Sequence, residues 1–92
     1  INPGADIGLA AIINTGATVD HDCRIGDGAH ISPGANLAGG VAVGAESWVG
    51  IGAAVREGMS IGARCMVGAG AVVVRPVPDG TQVTGVPARE GR

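Results

Sequence analysis

The stretch INTGATVDHDCRIGDGAHISPGAN, residues 13–36, decides the fold, because cut into sixes it begins each time on an aliphatic residue: Ile13, Val19, Ile25 and Ile31. Extended both ways, the register runs Ile1, Ile7, Ile13, Val19, Ile25, Ile31, Leu37, Val43, Val49, Val55, Ile61, Val67 and Val73. Four residues after each stands a mostly small residue, from Ala5, Ala11, Ala17 and Cys23 to Cys65, Ala71 and Val77. Fifteen of the 18 glycines occupy the second to fourth positions of these hexads, and none occupies the first, fifth or sixth. An α-helix repeats every 3.6 residues and a lone strand every two, so neither holds a six-residue register over this length. A parallel β-helix of hexapeptide repeats does, and the chain is expected to be all-β.

Three hexads close one triangular coil, so residues 18 apart in sequence stack at roughly the 4.8 Å spacing of paired strands. The first positions then form inward ladders such as Ile13, Ile31, Val49 and Val67. Such a core is narrow, which accounts for Trp48 being the sole aromatic residue. Residues 1–78 make a little over four coils on this reading. Pro78, Asp79 and Gly80 signal a turn, and residues 79–92 are expected to fold back as a tail that caps the last coil. At the other end the first coil presents bare strand edges. A preceding segment or a neighbouring subunit is expected to cover them, and a chain opening on Ile1 rather than methionine reads as a piece of something longer.

Composition narrows the function. The net charge is −2, and the six basic residues, all arginines, form no cluster, which argues against a nucleic-acid partner. Cys23 and Cys65 resemble neither a metal pair nor a disulfide framework and read as buried thiols in a reducing cytoplasm. No apolar run is long enough to span a membrane. The expectation is a soluble, cytoplasmic protein.

The informative residues are those the scaffold does not require. His21 stands at an outward third position between Asp20 and Asp22, and one coil above it is Gly39. A glycine there admits a ligand close to the backbone, and its amide would face the oxyanion of a thioester transition state beside a histidine base. Asp22, or failing that Asp20, would hold the imidazole in the required tautomer. His30 lies half a coil away and cannot reach His21 within one chain, although in a threefold assembly it could. Trp48 and Met66 continue the column above His30, which reads as a subunit interface, a ligand wall, or both. Arg75 and Arg89 are candidates for phosphate contacts.

From about Ala11 onward the sequence resembles the hexapeptide-repeat sugar acetyltransferases, which include sialic-acid O-acetyltransferases and UDP-4-amino-sugar N-acetyltransferases. The stretches that carry the likeness are Ile13–Thr15, Val19–Cys23, Gly28–Ile31, Pro33–Ala35, Leu37–Gly39, Val67–Ala71 and Gly85–Arg89. The resemblance implies a left-handed β-helix and a homotrimer with sites between subunits. It further implies acetyl-CoA as donor, no metal, and a sugar amine or hydroxyl as acceptor. Residue by residue it makes His21 the general base and Asp22 its orienting acid, with Gly39 the oxyanion amide. His30 would contact the acetyl group or pantetheine, the C-terminal tail around Arg89 would hold CoA, and Asn14 would help position the acceptor; Trp48 and Arg75 join them as donor-binding candidates on the reading of the residues above. Members of this family usually begin with a small α/β domain that binds the acceptor, and the chain shows none. The alternative is a non-catalytic trimeric scaffold. A zinc hydratase of this fold would need three histidines, and the chain has two.

Overall fold

The computed structural model describes residues 3–90, so Ile1, the first rung of the expected ladder, and the last two residues of the tail, Gly91 and Arg92, lie outside it. The sixth position of one hexad and the first of the next form a two-residue strand each time, and the strands stack into three parallel faces. The first face stacks Asp6–Ile7, Arg24–Ile25, Ala42–Val43 and Ser60–Ile61. The second stacks Ile12–Ile13, His30–Ile31, Trp48–Val49 and Met66–Val67, and the third Thr18–Val19, Asn36–Leu37, Ala54–Val55 and Val72–Val73. Every partner in these stacks is 18 residues away, as between Ile13, Ile31, Val49 and Val67. On the second face the ladder bonds Ile12 N–H to Ala29 O, His30 N–H to Ser47 O and Trp48 N–H to Cys65 O are each 2.9 Å.

Inside the prism sit the first-position residues from Val19 to Val73 together with fifth-position residues such as Ala29, Ala35, Ala53 and Ala71. Polar members of the fifth position are satisfied by one repeated bond. The Ser47 hydroxyl donates to Gly62 O at 2.5 Å, and the Cys23 thiol donates to Ala38 O at 3.1 Å. In both cases the acceptor is the second-position carbonyl of the next coil, so the bond offsets the cost of desolvating a buried hydroxyl or thiol here.

Each corner turns at the fourth position, whose φ is positive in all twelve hexads from Gly4 (+78°) to Gly70 (+70°). Eight of these residues are glycine, while Ala10, Asp22, Glu46 and Arg64 adopt the same left-handed conformation with a Cβ, at a cost of about 1–2 kcal/mol each for ordinary side chains. Arg64→Gly is therefore expected to raise the unfolding free energy, by about 0.5–1 kcal/mol once the greater freedom of glycine in the unfolded chain is set against the relieved strain. Urea denaturation would measure it.

Proline breaks the pattern. Pro76 occupies the fourth position of the thirteenth hexad, and its ring holds φ near −65°, so the left-handed corner cannot form. The chain cuts the corner short by two residues: Val77 pairs with Ile61 and Val83 with Val67, each 16 residues apart. The same slip appears in the buried thiol bonds, where Cys65 reaches Pro78 O at 3.0 Å across 13 residues rather than 15. Beyond Pro78 the stack gains one more parallel strand, Gln82–Thr84, on Met66–Val67. The chain then reverses at Gly85 (φ +94°), and Arg89–Glu90 returns antiparallel beside Gln82–Thr84. At the opposite end Asp6–Ile7, Ile12–Ile13 and Thr18–Val19 are paired on one side only, and Ile7 and Ile13 are only half-buried. Among the described residues there is no helix, hence none long and apolar enough to cross a membrane.

Candidate active site

His21 sits on the corner that leads from the third face to the first, and its two flanking carboxylates have separate tasks. Asp20 Oδ1 accepts the backbone N–H of His21 at 2.7 Å, which shapes the corner. Asp22 Oδ2 lies 3.2 Å from Nδ1 of the ring. A carboxylate only accepts hydrogen bonds, so the ring proton belongs on Nδ1 and the lone pair on Nε2. The left-handed backbone of Asp22 (φ +59°) is what turns its side chain back toward the ring, and aspartate tolerates that conformation better than most residues. Both side chains are well exposed, at 65% and 73%. So exposed a pair adds little to stability, and its consequence is the orientation of the imidazole.

Nε2 leans over Gly39. A Cβ on residue 39 would stand 2.5 Å from Nε2 and 2.6 Å from Cε1, so only glycine leaves the ring where it is. The coils are tied together at this point by Gly40 N–H donating to His21 O and Gly58 N–H donating to Gly39 O, both at 2.9 Å. Among the described residues the Gly39 N–H has no protein acceptor. A basic nitrogen and an unused backbone donor thus meet at one notch, as the 18-residue offset implied.

The second face carries the other group of candidates. Ile12, His30, Trp48, Met66 and Gln82 stand in one column. The His30 and Trp48 rings stack with centroids 4.1 Å apart and planes 14° from parallel. Beside them runs an open groove of about 460 Å³ lined by Asn14, His30, Ser32, Trp48, Ile51 and Met66. Trp48, Ile51 and Met66 are exposed, at 46%, 63% and 44%, a large apolar outlay for so small a surface. Asn14 Nδ2 lies 3.3 Å from His30 Nε2. Sequence offsets did not reveal this contact, because the two residues are 16 apart and meet diagonally: Asn14 is two residues beyond Ile12 on the same outward side, and His30 stacks on Ile12. Ser32 and Ile51 were likewise missed, being corner residues that flank the column. His21 and His30 stay on different sides of the prism.

Arg75 and Arg89 do come together. Both line a cleft of about 240 Å³ at the C-terminal end, with Pro76, Thr81 and Glu90 beside them. The Pro76 slip and the return strand create this cleft, which no count along the repeat would show. Among the described residues no three His, Cys, Asp or Glu side chains gather as a metal site.

The stacked coils, their hexapeptide register and the histidine corner define the class: this is the left-handed β-helix of the hexapeptide-repeat acyltransferases. In particular, the chain is similar to the GDP-perosamine N-acetyltransferase PerB of Caulobacter crescentus. The PerB structure with CoA and GDP-perosamine matches 96% of the chain at 53% identity and a TM-score of 0.94. A form of that enzyme with one histidine replaced by alanine, again with CoA and GDP-perosamine, matches the whole chain at 52% identity and a TM-score of 0.99. The acetyltransferase domain of PglB from Neisseria gonorrhoeae matches 98% of the chain at 40% identity with a TM-score of 0.91. A serine acetyltransferase bound to CoA matches 96% at 31% identity, with a TM-score of 0.90. The chain spans 42%, 44%, 53% and 39% of the lengths of these four structures. No family model matches the chain, and no curated protein sequence does.

Proposed function

We propose that this β-helix is the catalytic and donor-binding part of a cytoplasmic, homotrimeric acetyltransferase that moves an acetyl group from acetyl-CoA to an amine or hydroxyl of a sugar or nucleotide sugar. The observation that carries the reading is His21 Nε2 poised over Gly39 while Asp22 faces Nδ1. The acceptor nucleophile attacks the thioester carbonyl as Nε2 takes its proton. The oxyanion that forms is stabilised by the Gly39 N–H. Collapse of the tetrahedral intermediate expels the CoA thiolate, which the His21 imidazolium reprotonates, and the base is restored.

The His30–Trp48–Met66 groove suits the pantetheine arm, apolar along its walls with few polar groups, and the Arg75–Arg89 cleft suits phosphate. Support for a donor of this kind comes from PerB, bound to CoA, and from the PglB domain, also solved with acetyl-CoA. A sugar acceptor is supported by PerB holding GDP-perosamine, and a histidine role by the variant described above. The trimer would bring His21 of one protomer toward the His30 face of the next and would cover the exposed Trp48 and Met66. Light scattering is expected to give three times the chain mass of 8.9 kDa, and a monomer would refute the shared site.

Calorimetric titration of acetyl-CoA tests the donor site directly. Saturable binding weakened by His30→Ala and Arg89→Ala is the expected result, and no binding at millimolar donor would favour the scaffold reading. Gly39→Ala makes a sharper test of the notch. Residue 39 does not have a left-handed φ, so alanine should cost little stability, yet its Cβ must push the imidazole aside. A displacement of that size is expected to lower kcat on the order of 10²-fold.

A further inference from the structure

Asn14 carries an amide whose orientation the backbone dictates. A main-chain N–H can only donate, so the Asn14 atom 2.9 Å from the Thr15 nitrogen is the carbonyl oxygen Oδ1. Nδ2 is then the atom 3.3 Å from His30 Nε2. An amide NH2 offers two donors and no acceptor, so His30 Nε2 must accept and the proton of the neutral ring must sit on Nδ1. Trp48 stacks against the ring plane. Among the described residues Nδ1 has no protein partner, although His30 lines the groove.

We propose that Asn14 is a positioning residue that acts through His30. It holds the imidazole as the Nδ1–H tautomer and so keeps one hydrogen-bond donor available to a carbonyl-bearing ligand in the groove. Which carbonyl that is rests on the acetyltransferase reading: the thioester or an amide of the pantetheine arm. The tautomer does not rest on it. This assignment differs from a direct contact between Asn14 and the acceptor in what Asn14 acts on: its carbonyl faces Thr15 and its NH2 faces His30.

The chain has two histidines, so a His21→Ala variant leaves a single imidazole, and ¹⁵N–¹H correlation spectra of the ring report its tautomer without any assay of activity. An unprotonated Nε2 is the expected result; a protonated Nε2 would overturn the assignment. Asn14→Asp, in otherwise wild-type protein, keeps an acceptor for Thr15 N–H and exchanges only the donor facing His30. It should move the proton to Nε2 and weaken acetyl-CoA binding about five- to tenfold, the range of one lost hydrogen bond, while the KM for acceptor stays unchanged. A raised acceptor KM with unaltered donor affinity and tautomer would return Asn14 to the acceptor side and sink the proposal. If the wild-type chain binds no acetyl-CoA, the acetyltransferase reading fails, and the spectra still decide whether Asn14 sets the tautomer of His30.

Discussion

His21→Ala is expected to slow acetyl transfer by about 10²–10⁴-fold, the usual contribution of a positioned general base, and to leave acetyl-CoA affinity and the melting temperature close to wild type. The two parts of that expectation have different physical sources. The ring is exposed and packs against no core residue, so its removal opens no cavity. Donor binding is assigned to the second face and the C-terminal cleft, neither of which His21 lines. What is lost is Nε2 above Gly39. Asp22→Asn should give a smaller loss, because an amide can still meet Nδ1 yet no longer demands that the proton reside there. Steady-state kinetics with an amino-sugar acceptor would measure both, and a His21→Ala variant that turns over as fast as wild type would remove the proposed base altogether.

Ile31→Ala is expected to have the largest effect on stability, about 2–5 kcal/mol. Ile31 is fully buried in the middle of the second-face ladder, with Ile13 below it and Val49 above. The prism cannot readily collapse over the missing atoms, because ladder bonds of 2.7–3.1 Å join each coil to the next and stiffen its walls. For a domain whose total stability is of the order of 5–15 kcal/mol, that loss removes a large fraction. Leu9→Ala is the control. Leu9 is 80% exposed, and truncating it should change stability by no more than about 0.5 kcal/mol. Equal destabilisation by the two substitutions, measured by chemical denaturation, would contradict the inward ladder.

Much of the fold was legible because a coil of fixed length converts sequence distance into spatial position. The six-residue period placed the aliphatic ladder inside, the 18-residue offset set Gly39 over His21, and the same offset set Trp48 over His30. Asp22 as the partner of the ring was one of two readings; the left-handed φ at residue 22 and the Asp20 bond to the His21 N–H separate them. Residues 76–90 were the least legible. A proline in the fourth position was visible in the sequence, but a two-residue slip that keeps the stack in register afterwards depends on Val77 and Val83 finding places above Ile61 and Val67.

The sequence by itself therefore determined the repeat, the coil, the inward residues and the column in which each outward residue stands, since these follow from a period and from the steric demands of the corners. Tertiary structure alone decided what happens between columns: the diagonal contact from Asn14 to His30 and the cleft that Arg75 and Arg89 both line. Those contacts depend on side-chain direction and on a broken repeat, and neither is carried by a period.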